Sequence, residues 1–235
     1  ENMTILLKDK QAKKPKPRPK ICSFCGKPVE PEWEWDDWTI SDIHPDCKSL
    51  IMRFKRIGID ERFWKLPKFK IEKGNKKAYE ATLEFIKNPS KGLFLFGPAG
   101  TGKTHLAVKI AQEVDSEVKF VKIPKLLFSF KANFNGQGHE NEQIIERLSK
   151  VPLLILDDLG AEKASEWVAE TLYILIDERY GNMKPTVLTS NYSPSELAER
   201  LGDRIVSRII EMCRVIEIKT SDKRKEKHLQ ENRSK

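Results

Sequence analysis

Long apolar runs are missing from this sequence, and nothing in it approaches the roughly 20 residues that a membrane-spanning helix requires. Nor is there a basic n-region, apolar h-region and small-residue cleavage site near the start. These absences point away from a transmembrane or exported chain and set the expectation of a cytoplasmic protein with no membrane partner. Met3 is the expected natural start, with Glu1-Asn2 an added remnant. Internal repeats are absent, which excludes a solenoid or propeller. Cysteine is scarce, 4 in 235 residues, too few for a disulfide scaffold. Cys22, Cys25 and Cys47 nevertheless lie close together while Cys213 stands alone, and in a reducing compartment such a cluster favours a metal over disulfides. Scarce Cys and Met beside dense Lys and Glu also fit a heat-adapted source.

What is abundant is charge. Charged residues make up 33% of the chain and the formal net charge is +8. Such an excess of Lys and Arg implies an anionic partner, most simply nucleic acid, with a partnerless basic surface as the alternative. The length suits one α/β domain with a small appendage. Residues 1–20 end in a Pro- and Lys-rich tract, Lys13 to Lys20, that reads as an extended basic tether. Residues 21–58 hold the Cys/His segment and a helix over Pro45–Ile57. The main domain, residues 59–219, begins with an aromatic-rich lead-in and a helix over Asn75–Ile86. From there strands are expected at Leu93–Phe96, Val118–Val121, Leu153–Leu156, Thr186–Thr189 and Val215–Ile218. Helices alternate with them at Thr104–Val114, Pro124–Ala132, Glu142–Leu148, Glu166–Tyr180, Pro194–Arg200 and Asp203–Glu211. Alternation of this kind predicts a parallel sheet covered on both faces. Ser193-Pro-Ser-Glu196 has the form of a capping box. A charged tail, residues 220–235, is expected to fray.

The chemistry centres on Gly97-Pro98-Ala99-Gly100-Thr101-Gly102-Lys103-Thr104, which fits G-x-x-x-x-G-K-[ST] in full, with His105 next in line. A strand precedes it and a helix follows, the context in which backbone N–H groups and the helix dipole face one polyphosphate. Lys103 would neutralise phosphate charge and Thr104 would offer its hydroxyl to Mg²⁺. Pro152-Leu-Leu-Ile-Leu-Asp157-Asp158 is an apolar strand ending in two carboxylates, at the sheet edge where ligands bind. Asp157 would hold the Mg²⁺ shell and Asp158 would polarise an attacking water; Asp where Glu is commoner implies slow turnover. Asn191, at the end of a further strand, can orient that water without bringing charge. Arg204 and Arg208 share one face of a helix, and Arg suits stabilisation of charge on a transferring phosphoryl group.

The order of loop, Asp-Asp strand, Leu188-Thr-Ser-Asn191 strand and Leu201-Gly-Asp-Arg-Ile-Val-Ser-Arg208 helix resembles an AAA+ ATPase. The wording is similar to the DnaC/DnaI helicase-loader group and its relative IstB, over roughly Phe63 to Ile218. The resemblance implies a five-stranded sheet in the order 5-1-4-3-2 and no C-terminal lid domain. It also implies a sensor role for Asn191 and a finger acting on a neighbouring subunit, with Arg208 first choice and Arg204 second. An insertion, Pro124 to Leu148, falls where the group faces single-stranded DNA. By that comparison Phe134, Ser165 and Trp167 are DNA contacts, and Lys125, Lys131 and Lys163 could meet phosphates. Core packing is the other role open to Phe134 and Trp167.

Cys22-x2-Cys25 and His44-x2-Cys47 supply three thiolates and an imidazole, a set suited to tetrahedral structural zinc. His44 is the expected fourth ligand; another or no fourth ligand, or metal-free thiols, are the alternatives. Trp33, Trp35 and Trp38 alternate with acids, which suits a protein interface better than a DNA-binding face. By resemblance this module docks the replicative helicase, against the alternative of a DNA-binding finger. The implied function is an ATP- and Mg²⁺-dependent ATPase that self-assembles and places a hexameric helicase on single-stranded DNA. An IstB-type transposition helper and a nucleotide-sensing DNA-binding adaptor with little hydrolysis are the alternatives.

Overall fold

The computed structural model describes residues 16–34, 37–39, 41–132, 138–161, 165–223 and 225. The chain divides into two compact units, Glu1–Arg53 and Phe54–Lys235. In the first, β1 (Lys20–Ile21) pairs antiparallel with β2 (Pro28–Val29), and β3 (Glu32–Glu34) with β4 (Asp37–Thr39). Strands this short carry no periodicity, so neither hairpin was expected. α1 (Pro45–Ile57) starts and ends where its apolar spacing placed it and carries Cys47 near its start. Among the described residues, the apolar core of this unit is Cys22, Val29 and Cys47, with Phe24 and Ile43 packed against them. Trp35 lies outside the described residues, and of Trp33 and Trp38 only the backbone pairing is described.

The second unit is a layered α/β domain. A single 3₁₀ turn, Glu61–Phe63, precedes α2 (Lys76–Lys87). Then follow β5 (Gly92–Phe96), α3 (Lys103–Glu113), β6 (Val118–Lys122), α4 (Ile123–Ala132), α5 (Gly138–Lys150), β7 (Leu153–Leu159), α6 (Glu166–Gly181), β8 (Thr186–Ser190), α7 (Pro194–Leu201), α8 (Asp203–Met212) and β9 (Cys213–Glu217). Strands β6-β7-β8-β5-β9 lie side by side, every pair parallel. Counted in chain order from the other edge, that is the expected 5-1-4-3-2. Central strands covered on both faces must be apolar throughout, and Leu93, Phe94, Leu95 and Leu153 to Leu156 are all at most 2% exposed.

Several boundaries moved, the farthest at α5, which starts at Gly138 where Glu142 was expected. β7 runs past the apolar stretch to Leu159 because a bulge between Leu156 and Leu159 lets it keep pairing with β8. β9 starts at Cys213, two residues early, because α8 ends at Met212 with no intervening loop. The insertion docks through Ile123, Leu126, Leu127, Phe130 and Leu148 on the same core as β7 and α6. Ser193 and Glu196 form the expected capping box at the start of α7.

Arg179 of α6 is 0% exposed and holds the end of α5 to the sheet. Its guanidinium donates to the carbonyls of Leu148, Ser149 and Val151 at 2.9–3.1 Å, to Pro185 O at 2.7 Å and to Thr186 Oγ1 at 2.8 Å. Burial pulls its pKa down to about 10, still far above neutrality, so the charge is retained among carbonyls at a helix C-terminus. Replacing Arg179 with Met leaves those carbonyls buried and unpaired. At about 1–3 kcal/mol for such a group, Arg179→Met should cost at least about 3 kcal/mol in urea unfolding; a loss below about 1 kcal/mol would show that water replaces the guanidinium.

Candidate functional site

The glycine loop between β5 and α3 is built for a close ligand. Gly102 (φ 97°) is the residue before α3, and a Cβ there would stand 2.9 Å from the Phe69 ring, so both backbone and packing demand glycine. Thr101 Oγ1 donates to Pro98 O at 2.9 Å and closes the loop on itself. Lys103 is 5% exposed and its ammonium donates to Gly97 O and Pro98 O, both at 2.7 Å. That fixes a positive charge over the helix N-terminus, where the dipole also favours anions.

Asp157 is 0% exposed. Its Oδ1 accepts from Thr104 Oγ1 at 2.9 Å and from Thr189 Oγ1 at 2.7 Å, while Oδ2 is buried with no hydrogen-bond partner among the described residues. Burial, then the neighbouring Asp158 charge, raises its pKa against the lowering pull of the two threonines. An orphaned carboxylate oxygen beside a threonine hydroxyl on the phosphate loop fits a hard divalent cation. Mg²⁺ would be held by Thr104 and Asp157 and would neutralise phosphate charge there. Asp158 follows in the left-handed region (φ 62°), strained for a residue with a side chain. Its N–H donates to Thr189 Oγ1 at 3.0 Å.

Both Asp158 and Asn191 line a cleft of about 570 Å³ with Ala99, Gly100, Lys103 and Thr104. His105 lines it too, its pKa lowered by burial and then by Lys109, and its ring meets Phe69 edge-on at 5.2 Å. Sequence reading missed Arg62, Phe63 and Lys223 on the same cleft. They come from a single 3₁₀ turn and from the chain beyond β9, where no periodicity or motif marks them. Thr189 was missed as well, although its place two residues before Asn191 in the same strand was a usable signal.

Arg204 and Arg208 are not among the residues lining this cleft. Arg204 is exposed, and Arg208 Nε donates to Asp177 Oδ1 at 2.8 Å with its guanidinium over the Tyr180 ring at 4.8 Å. Phe134 and Lys163 lie outside the described residues. Ser165 caps α6 by accepting from Val168 N–H at 3.3 Å. Trp167 packs half-buried on the core with the Lys131 ammonium 5.8 Å from its ring. On α4, Phe128 is 75% exposed between the exposed Lys125 and Lys131, an aromatic that sequence reading did not single out.

The sulfurs of Cys22, Cys25 and Cys47 lie within 4.8 Å of one another. Backbone N–H groups of Phe24, Cys25 and His44 donate to Cys22 Sγ at 3.2–3.5 Å. Burial works to raise the Cys22 thiol, but these donors outweigh it and lower its pKa. Burial, followed by the neighbouring sulfurs, raises Cys47. Three crowded sulfurs with N–H···S bonds fit a zinc knuckle. The ring of His44, the expected fourth ligand, is not grouped with the three sulfurs: its Nδ1 accepts from Asp46 N–H at 3.4 Å and stands 3.5 Å from the Asp46 carboxylate, while its backbone N–H donates to Cys22 Sγ.

Parallel sheet, phosphate loop and carboxylate pair in this arrangement define an ATP-binding protein of the AAA+ kind. The profile of the family described as IstB-like ATP binding protein matches residues 69–231, and the chain belongs to that family. It is 29% identical over 136 residues to the replicative helicase loader DnaC of Escherichia coli K12, covering 57% of this chain and 55% of that protein. The corresponding DnaC of Buchnera aphidicola (subspecies Baizongia pistaciae) is 30% identical over 191 residues, 75% of this chain and 78% of that one. A crystal structure of the DnaC helicase loader superposes with a TM-score of 0.60 at 32% identity, covering 68% of this chain and all of that one. The chain thus spans about half the length of the E. coli relative.

Two outcomes follow. Because the folded pKa of Asp157 is raised, its contribution to stability is full below the unfolded value of about 3.9 and is lost as pH rises through the folded value. In chelator-containing, nucleotide-free buffer, Asp157→Asn should raise the melting temperature at pH 7 by a few degrees and leave it unchanged near pH 4. A drop at pH 7 would show that the carboxylate stabilises the fold. Separately, the reduced protein should hold a single zinc ion per chain by elemental analysis, and Cys25→Ser should lose it; equal zinc in both proteins would remove the cysteine cluster as its site.

Proposed function

We propose that this chain is an ATPase that loads a replicative helicase onto single-stranded DNA, with ATP promoting its self-assembly. The observation that carries the reading is the buried Asp157 bonded to Thr104 of the phosphate loop, with Asp158 and Asn191 on the same cleft. Those residues supply a cation site, a carboxylate for an attacking water and a neutral amide to position it. Asp158 and Asn191 do this from strand ends, so the groups are held by the sheet. Water activation by the short carboxylate of Asp158 favours slow turnover.

Completion of the site is assigned to a second copy. Arg208, and after it Arg204, act on the nucleotide of the neighbouring protomer, since neither lines the cleft of its own chain. The exposed row Lys125, Phe128 and Lys131 on α4, with Trp167 beside it, offers cations and an aromatic face to single-stranded DNA. Helicase docking is assigned to the zinc-binding N-terminal unit, because the tryptophan- and acid-rich hairpin suits a protein partner better than DNA. The relatives named as replicative helicase loaders favour this reading over a transposition helper.

ATP hydrolysis measured alone, with single-stranded DNA and with helicase tests it. The expected result is slow basal hydrolysis, stimulated by either partner and abolished by Lys103→Ala. Arg208→Ala and Lys103→Ala proteins should each be inactive and should recover part of the activity when mixed. Assembled mixtures with no recovered activity would rule out a finger acting between subunits, and hydrolysis indifferent to DNA and helicase would rule out the loader.

A further inference from the structure

Beyond β9 the described residues up to Lys223 stay on the domain. Ile218 N–H donates to Phe96 O at 2.8 Å, Lys219 N–H to Gly74 O at 2.9 Å and Lys223 N–H to Gly100 O at 3.0 Å. Residues 218–223 therefore form a strap from the end of β5 to the phosphate loop, where a fraying tail was expected. The approach is close: a Cβ on Gly100 (φ 77°) would lie 1.8 Å from Asp222 Oδ1, so that glycine admits the strap.

At the end of the strap, Lys223 lines the same cleft as Lys103, Thr104 and Asn191. Its ammonium donates to both carboxylate oxygens of Glu72 at 2.7 Å, and Lys223 and Glu72 are 29% and 28% exposed. Glu72 has a second cation, Lys70, at 3.3 Å. Its pKa is held down by the hydrogen bond from Lys223 before any other cause.

We propose that Lys223 is a phosphate-binding residue of this cleft, for which Glu72 and a bound nucleotide compete, so that the strap responds to occupancy of the phosphate loop. The inference rests on the reading of the cleft as an ATP site. A polyphosphate presents several negative charges where Glu72 presents one, and the flexible four-carbon stem of lysine lets the ammonium turn without moving the backbone. The bond from Lys223 N–H to Gly100 O anchors the stem during that turn. Glu72 keeps Lys70 when Lys223 leaves, so the exchange strands no carboxylate. Asp222 brings a negative charge against the loop, and the adjacent ammonium offsets its repulsion of the incoming phosphates.

A purely structural clasp and a competition differ in sign. If the Glu72–Lys223 pair only holds the strap in place, removing either partner weakens nucleotide binding alike. In a competition, Lys223→Ala weakens it and Glu72→Gln, which releases the ammonium, strengthens it. Titration of the full chain with a fluorescent ATP analogue and Mg²⁺ separates the two. Lys223→Ala should bind roughly tenfold more weakly, as expected for loss of a charge-assisted hydrogen bond. Lys223→Arg should stay within about threefold of the parent because it keeps the charge, and Glu72→Gln should bind severalfold more tightly. Nucleotide-free melting curves identify any variant that has lost its fold. Unchanged affinity in a folded Lys223→Ala protein, or equal weakening by Lys223→Ala and Glu72→Gln, overturns the inference. Failure of the parent protein itself to bind the analogue overturns the ATP reading and this inference with it, and is told apart because it appears before any substitution.

Discussion

A single threonine hydroxyl holds both aspartates of the candidate site. Thr189 Oγ1 donates to Asp157 Oδ1 and accepts from Asp158 N–H. The first bond holds a buried charge and the second holds a strained backbone. Because Thr104 grips the same Asp157 oxygen, the first turn of α3, the end of β7 and the end of β8 meet at one atom. A carboxylate this deep is costly to ionise, as the upward displacement of its pKa by burial shows. Its orphaned Oδ2 means that the fold leaves this cost partly uncompensated. Any cation bound there with nucleotide would lower it, and by linkage would stabilise the native domain.

Much of this was legible in the residues, and what was missed has a common cause. The phosphate loop, the Asp pair and the continuous apolar strands announce themselves locally, because their chemistry depends on neighbours in sequence. Sheet order came only with the family resemblance; alternation alone predicted parallel strands. Thr189, the bulge before Leu159 and the left-handed Asp158 depend on how β7 registers against β8, which no window along either strand contains. Arg62 and Phe63 sit on a single 3₁₀ turn and Lys223 follows β9, so their arrival at the cleft is a property of the tertiary fold alone. Arg179 is the same problem in the core: it occupies a position in α6 that a helical wheel would leave to an apolar residue. Spacing marked the ring of His44, and the bond from its backbone N–H to Cys22 Sγ is a contact that no spacing announces.

The N-terminal unit obeys a different economy. Its buried apolar groups are few, and two of them are the cysteines Cys22 and Cys47. A core that small cannot offset the conformational entropy of ordering its loops. N–H···S bonds converge on Cys22 and the other two sulfurs crowd against it, with opposite consequences for the thiols of Cys22 and Cys47. Three sulfurs this close suit a shared cation, and a metal held there would contribute folding free energy directly.

Cations of the second unit differ most in how firmly each is already engaged. Arg179 is fully buried and makes five hydrogen bonds to four carbonyls and a hydroxyl, so withdrawing it would open the junction of α5, β7 and β8. It is structural for that reason, whatever its charge. Arg208 is the opposite case: its pair with Asp177 has side chains 35% and 41% exposed, a setting in which water and salt compete well with the partner. An arginine held so loosely on a helix face can be given up to a stronger anion at little cost. Lys223 lies between them, more shielded than Arg208 yet tied to a carboxylate that has a second lysine in reserve. Lys103 alone is committed to the loop's own carbonyls. The cleft thus combines a fixed cation, Lys103, with Lys223, whose present bond to Glu72 can exchange, and a site so arranged can distinguish a polyphosphate from a single carboxylate by charge alone.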